Sequence, residues 1–440
     1  MPKTFRSWDL DQGWLLPPSV RDFVPPDHVA HFVRDTVRED LDLSAILGTY
    51  IEERGYPPYH PAMVTALLLY SYCQGVYSSR RIAQACEQRV DVMAVTALQK
   101  PDFRTISDFR KRHLRALGEL FQQVLALCER AGLVRLGHVA LDGTKMKANA
   151  SKHKAMSYGR MKQAEPQLEK EVSDWFAKAE AADAAEDEEF GRDRRGDELP
   201  AWVTDRKKRL EKIREAKKAL EEEARQVAQA APPDDDPPKR PGRRPRKRST
   251  TPDEKAQRNF TDPDSRIMMD SSGFQQAYNC HVAVDAESQV IVARDVTNQQ
   301  SDVYSVTPLV AQIKTNTGRQ TRELSADAGF CSEENLKELA RRHIRGYVAT
   351  GRQKHGTRSA TMQGRPRAGP RSCAMRTRLK RGGFRSRYRL RKQTVEPVFG
   401  QIKEARGFRR FLLRGLPRVA EEWSLLCTAH NLQKLARAAA

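Results

Sequence analysis

The sequence predicts an α/β protein: a mixed five-stranded sheet with helices, preceded by an all-helical N-terminal domain and interrupted by a charged helical insertion. Three observations carry this reading. Apolar residues recur at three-and-four spacing through residues 1–135, short β-rich runs alternate with helices after residue 136, and a long charged, Ala-rich helical stretch divides those runs. The 440 residues, 39% hydrophobic with a mean hydropathy of −0.72, suffice for one large core or two to three domains and exclude a wholly disordered chain.

In residues 1–135, PAMVTALLLYSYCQG (61–75) opens with a proline suited to a first helical turn and stops near a glycine. SSRRIAQACEQ (78–88) and RTISDFRKRHLRALGELFQQVLALCERAG (104–132) follow as amphipathic helices. A short helix followed by PDFRT suits a helix-turn-helix whose reading helix starts near Thr105 and presents Ser107, Arg110 and Lys111; it also suits an ordinary helical bundle.

Residues 136–154 hold the first strand, HVALDGT (138–144), which ends in a polar turn. Residues 155–231 read as a charged helical hairpin. Leu210, Ile213, Lys217, Leu220, Ala224 and Val227 form a heptad seam with one Lys, facing a segment around Leu168, Val172, Trp175 and Phe176; the seam suits a dimer contact or a lever against DNA. Residues 232–258 are a Pro-rich basic linker. Residues 259–410 supply the remaining strands: a hairpin of 274–286 and 288–298, a helix at 302–316, a strand at 323–329, a helix at 332–343 capped by Ser332, a strand at 345–351 and a helix at 388–405. Residues 411–440 make a C-terminal helix.

The 78 Lys+Arg against 57 Asp+Glu give a net charge of +21, which points to a polyanionic partner. Most of it is local: residues 351–410 hold 19 Lys+Arg against only Glu396 and Glu404, a net +17. Seven cysteines without a CxxC pair argue for reduced thiols. No apolar run reaches the roughly 18–20 residues of a membrane helix, and the N-terminus lacks a secretory core, so a cytoplasmic, nucleoid-associated protein with no membrane partner is expected.

The acids fall in a telling order: Asp142 on the first strand, Asp327 at the end of a later strand, Glu396 on a late helix beside the basic stretch. In an RNase H-like sheet such acids converge at one edge, where three carboxylates suit two Mg²⁺ ions roughly 3.5–4 Å apart, since Mg²⁺ prefers hard oxygen ligands. Asp285, Asp295 and Asp302 are rival acids beside the hairpin, and Thr144, Lys145 and Lys147 follow Asp142 where they could meet a phosphate.

The motifs LPPSVRDFVPPDHVAHFV (16–33), GYPPYHPAMVTALLLYSYCQGVYSSRRI (55–82), PDFRTISDFRKRHL (101–114), VALDGTKMKANASKHKAMSYGRM (139–161), NFTDPDSRIM (259–268), LSADAGFCSEENL (324–336) and TVEPVFGQIK (394–403) together resemble prokaryotic insertion-sequence DDE transposases of the RNase H-like superfamily. The resemblance implies a catalytic and metal-binding triad of Asp142, Asp327 and Glu396, served by two Mg²⁺ ions for which Mn²⁺ is expected to substitute. It implies binding to double-stranded DNA, both terminal inverted repeats and target, followed by strand cleavage and strand transfer by a homodimer in synapsis. Many members carry Tyr, two residues, Arg, three residues, Glu, six residues, Lys on the last helix. Glu396 and Lys403 match that ending; a strict count puts Arg389 and Lys392 at the Tyr and Arg positions, whereas Tyr388 and Arg391 fit with one residue inserted. Lys403, Lys392, Arg391, Tyr388, Lys145, Arg110 and Lys111 are the expected DNA-binding residues. The alternative function is a non-catalytic DNA-binding protein derived from a transposase.

Overall fold

The computed structural model describes residues 19–50, 58–190, 201–229, 250–270, 273–351 and 369–439. Residues 239–248 of the basic linker, KRPGRRPRKR, and residues 352–368 of the basic stretch lie outside the described residues.

Helices fill the described part of the chain before residue 131: α1 (Val29–Asp35), α2 (Ser44–Leu47), α3 (Pro61–Cys73), α4 (Ser79–Gln88), α5 (Val90–Thr96), α6 (Phe103–Arg112) and α7 (Leu114–Arg130). Their starts follow local capping chemistry. Pro61 occupies the first turn of α3 while His60 Nδ1 accepts from the Ala62 amide, and Asp102 caps α6 by accepting from the amides of Arg104 and Thr105 at 2.6 and 3.0 Å.

The strands and remaining helices follow as β1 (His138–Lys147), β2 (Ala155–Ser157), α8 (Tyr158–Phe190), α9 (Ala201–Gln229), β3 (Gln257–Asn259), β4 (Arg266–Asp270), β5 (Gly273–Asp285), β6 (Ile291–Thr297), α10 (Val306–Thr317), β7 (Glu323–Ala326), α11 (Glu333–Arg341), β8 (Arg345–Val348), α12 (Pro370–Gly382), α13 (Leu390–Gly400) and α14 (Leu416–Ala439). β1 lies at the centre of the main sheet, antiparallel to β5 on one side and parallel to β7 on the other, with β8 parallel to β7 beyond it. The 13-residue β5 is long enough to carry two strands on its far edge, β4 opposite its first half and β6 opposite its second. The sheet therefore has six strands rather than five. The extra strand, β4, is a short run following the turn around Pro263, with charged residues at both ends, and it gives little periodic signal.

One hydrophobic core runs from the N-terminal helices into the sheet, so the change near residue 135 is one of secondary structure and not a break in packing. The connection is α14, which packs on α3, α7 and β6. Trp423 of α14 is fully buried, and Asn431 completes the edge of β6 by accepting from the Ile291 amide and donating to its carbonyl, both at 2.9 Å.

The insertion has a small core of its own: Ile213, Ala216 and Leu220 of α9 against Tyr158 and Met161 of α8. The heptad seam is thus filled within one chain, and the expected dimer contact through Ile213 and Leu220 is corrected to an internal one. Lys217, the charged member of the seam, pairs with Glu165 at 2.8 Å. Side chains of Trp175 and Phe176 lie outside the described residues. Among the described residues no helix is long and apolar enough to cross a membrane.

Candidate active site

The parallel register of β1 and β7 pairs Ala140 with Ser325; continued two residues, it aligns Asp142 with Asp327, which follows the end of β7. Strand side chains alternate, so the two carboxylates leave neighbouring strands on the same face, about 5 Å apart in the hydrogen-bonding direction. Local backbone aims each one. Gly143 N donates to Asp142 Oδ1 at 2.9 Å, and Asp327 caps a short turn by accepting from Gly329 N at 2.7 Å. Both glycines are required by close approach: a Cβ on Gly143 would lie 2.8 Å from His281 Cδ2, and one on Gly329 would lie 2.7 Å from Asp302 Oδ2 and 3.0 Å from Asp327 Oδ1.

Helix α13 delivers the third group. Arg391 Nη1 donates to Asp142 Oδ2 at 2.7 Å, while its Nη2 lies 3.7 Å from Glu396 Oε1. Tyr388 is buried beside Arg391. The geometry therefore matches the alignment with one residue inserted: Tyr388 and Arg391 face the acids, whereas Lys392, the next residue round the helix, is exposed. Burial pushes the Asp142 carboxyl up to about 6, with Asp327's charge adding to the rise and Arg391 opposing it. Burial also raises the Tyr388 phenol.

Among the described residues no three His, Cys, Asp or Glu side chains are drawn closely enough together to hold a metal ion. Arg391 lies between Asp142 and Glu396 and bridges the gap with its own charge. The donor set nevertheless fits a hard divalent cation. Asp142 and Asp327 are carboxylates on adjacent strands, Asp142 is driven towards neutrality by its surroundings, and more than half of the Glu396 side chain is exposed and free to approach.

The expected lysines sit nearby. Lys403 Nζ donates to Thr144 Oγ1 and to the Lys145 carbonyl, and Lys145 Nζ donates to the Gln300 carbonyl at 3.1 Å and to Asp302 Oδ1 at 3.3 Å. Asp302 also accepts at Oδ1 from Asn279 Nδ2 at 2.7 Å and from His281 Nε2 at 3.0 Å. Burial would raise the Asp302 carboxyl, but those hydrogen bonds and the charge of Lys145 hold it at about 2. Asn279 and His281 are absent from the sequence-based site. Their signal is a pair of polar residues at alternate positions among the apolar residues of 277–284, both on the face of β5 turned towards Asp302. The other rival acids serve turns and backbone: Asp285 accepts from the amides of Leu136 and Glu287, and Asp295 from that of Val296.

Arg110 corrects the expected reading helix. It is 7% exposed, and its guanidinium donates to Tyr72 Oη, the Tyr77 carbonyl and Ser79 Oγ, which makes it a brace between helices. A side chain drawn in by three internal acceptors cannot lie on an outer face of α6. Lys111 is exposed and pairs with Asp108 at 3.3 Å. Part of the basic stretch is likewise structural: Arg387 pairs with Glu323, Arg378 donates to the Gly346 carbonyl, and Arg406 is buried against His430.

Residues 18–112 match a family described as a transposase domain (DUF772), and residues 352–436 match one described as a transposase DDE domain. Both matches are to transposase domains, and together they support an insertion-sequence DDE transposase. Comparison with curated proteins and with solved structures gives no match. The second matched segment contains Tyr388, Arg391, Glu396 and Lys403. Asp142 and Asp327 fall outside both segments, and their pairing rests on the strand register.

Proposed function

We propose that this transposase binds the terminal inverted repeats of its own element as a homodimer, hydrolyses one strand to free a 3′-OH, and directs that hydroxyl at target DNA. The observation that carries the reading is the alignment of Asp142 with Asp327 on neighbouring parallel strands, with α13 linked to Asp142 through Arg391. The strand order β6, β5, β1, β7, β8, antiparallel through β1 and parallel beyond it, supports an RNase H-like assignment. The protein would act in the cytoplasm on nucleoid DNA.

Asp142, Asp327 and Glu396 would hold two Mg²⁺ ions, or Mn²⁺ in their place. Two such ions, when bound, activate the attacking oxygen and stabilise the leaving oxygen of an in-line displacement at phosphorus. The chain's own cations grip and orient the strand. Lys145 near the end of β1, Lys403 hydrogen-bonded to it, and Arg391, whose buried Nε has no partner among the described residues, are donors suited to non-bridging phosphate oxygens. Lys392, exposed on α13, adds a backbone contact.

The test is nicking of a supercoiled plasmid carrying the element ends, with Mg²⁺ present. Asp142→Ala, Asp327→Ala and Glu396→Ala should each abolish nicking and leave duplex binding largely intact, since each acid serves chemistry more than folding. Persistent nicking by Glu396→Ala would move that role to another acid. A wild-type chain that binds the ends but fails to cut whichever divalent metal is supplied would instead be the derived, non-catalytic DNA-binding protein.

A further inference from the structure

The base of the helical insertion carries a groove that the proposed chemistry does not use. It is a cavity of about 430 Å³ where the turn after β1 meets the starts of α8 and α9, walled by Lys154, Arg160, Lys208, Arg209 and Lys212. The one acid in its lining is Asp205, and Phe260 closes one side. Asp205, Lys208, Arg209 and Lys212 follow the i, i+3, i+4, i+7 spacing of a single helical stripe, so the α9 bases project along one line.

The charges of the insertion are sorted. Bases facing α8 elsewhere along α9 are neutralised inside the hairpin: Arg214 by Glu165 and Glu169 at 3.2 and 2.7 Å, and Lys217 by Glu165. The five bases of the groove make no ion pair among the described residues, and all five are exposed. Five unneutralised cations around one concavity repel each other and are stabilised by an anion with repeated charges. The groove is also held rigidly to the sheet. β2 pairs with β3, Phe260 N donates to the Lys154 carbonyl at 3.0 Å, Asn259 Nδ2 donates to the Ser151 carbonyl at 2.8 Å, and Arg266 of β4 reaches Glu223 of α9 at 3.1 Å.

We infer that this groove binds the phosphate backbone of the duplex outside the cleavage site, so that the insertion is a second DNA clamp. This rests on the reading of the chain as a DNA-cleaving transposase. Only twelve residues separate Asp142 from Lys154, a reach of at most about 40 Å. That places the clamped phosphates within roughly 40 Å of the scissile bond, little more than one turn of B-DNA at some 34 Å. The contact is electrostatic, made by the Lys and Arg head groups to phosphate oxygens, which position the duplex.

The test is fluorescence anisotropy of the full chain with an arbitrary-sequence duplex about three helical turns long, over a range of salt. Lys208→Ala/Arg209→Ala/Lys212→Ala should weaken binding by about tenfold and flatten log K against log salt by about 2–3, since each phosphate contact contributes about 0.9. A control triple, Lys170→Ala/Lys218→Ala/Arg225→Ala, removes the same charge from the same hairpin outside the groove and should change neither. In the unmutated chain, amine-directed footprinting should show Lys208 and Lys212 protected by the duplex and Lys170 and Lys218 not. Equal effects of the two triples, or no protection at Lys208 and Lys212 while the wild-type chain still binds and nicks DNA, overturn the clamp alone. A wild-type chain with no salt-dependent duplex binding overturns the clamp together with the functional reading beneath it.

Discussion

Arg391 Nη1 donates to Asp142 Oδ2 at 2.7 Å, tying a helix late in the chain to the central strand of the sheet. Even with that partner, burial leaves the Asp142 carboxyl raised to about 6 from its ordinary 3.8. The folded state therefore holds the proton more tightly than the unfolded chain. The stability this gives is complete below about pH 4 and is lost as pH rises through 6, a cost of roughly 3 kcal/mol at neutral pH. Asp142→Asn mimics the protonated acid and should melt at a higher temperature than wild type near pH 7.5 but together with it near pH 4. Equal melting temperatures at both pH values would show that the charge carries no such penalty.

The same strained carboxylate gives a metal readout that needs no DNA. Divalent cations that bind only the folded chain stabilise it, by roughly 2.7 kcal/mol at a hundred times the dissociation constant. Mn²⁺ and Mg²⁺ should raise the melting temperature of the wild-type chain. They should leave Asp142→Asn and Asp327→Asn little changed, because an amide is a poor substitute for a charged oxygen ligand.

Arg110 should behave as a brace. Its three internal hydrogen bonds come from a charged donor, each of a kind worth about 1.5–3 kcal/mol, so Arg110→Ala should lower the stability measured by denaturant unfolding. Lys111→Ala, exposed one residue on, should stay within about 0.5 kcal/mol of wild type. An Arg110→Ala chain of full stability that had lost only its preference for the element ends would reinstate a reading role.

The insertion should fail locally and not by losing a partner. Ile213→Glu and Leu220→Glu place a charge in the small core against Tyr158 and Met161, so the double variant should lose helical circular dichroism and become protease-sensitive between residues 155 and 231. Its mass by light scattering should equal that of wild type; a drop to half would return the seam to a dimer interface.

The order of strands and helices was legible because long apolar runs such as that of β5 and periodic helices such as α7 announce themselves; Asp142 lies on β1, and Asp327 directly follows β7 beside it. What stayed hidden depends on tertiary contact. Whether Arg391 or Lys392 faces Asp142 is decided by the rotation of α13, which a count along the chain leaves open. Arg110 reads as a surface base until Tyr72, Tyr77 and Ser79 surround it. The seam of α9 has the same pattern whether its partner is α8 or a second chain, and only packing distinguishes them. Asp302 looked like one of several turn acids because its donors, Asn279 and His281, arrive from β5 more than twenty residues earlier.

Asp302 supplies the sharpest contrast with Asp142. Its carboxyl is held at about 2, below the ordinary 3.8, because hydrogen bonds from His281 and Asn279 and the charge of Lys145 outweigh the burial that would raise it. Here the unfolded chain holds the proton more tightly, so the stability contributed is present above about pH 4 and is lost as pH falls towards 2, roughly 2 kcal/mol in all. Asp302→Asn should therefore lower the melting temperature near pH 7.5, and the difference from wild type should shrink as pH approaches 2–3. Two Asp→Asn changes around one site thus shift stability in opposite directions at neutral pH, because one carboxylate is surrounded by donors and the other is buried beside a second acid. If both variants were destabilised to the same degree near pH 7.5, lost packing and not charge would explain both, and the electrostatic account of the site would fail.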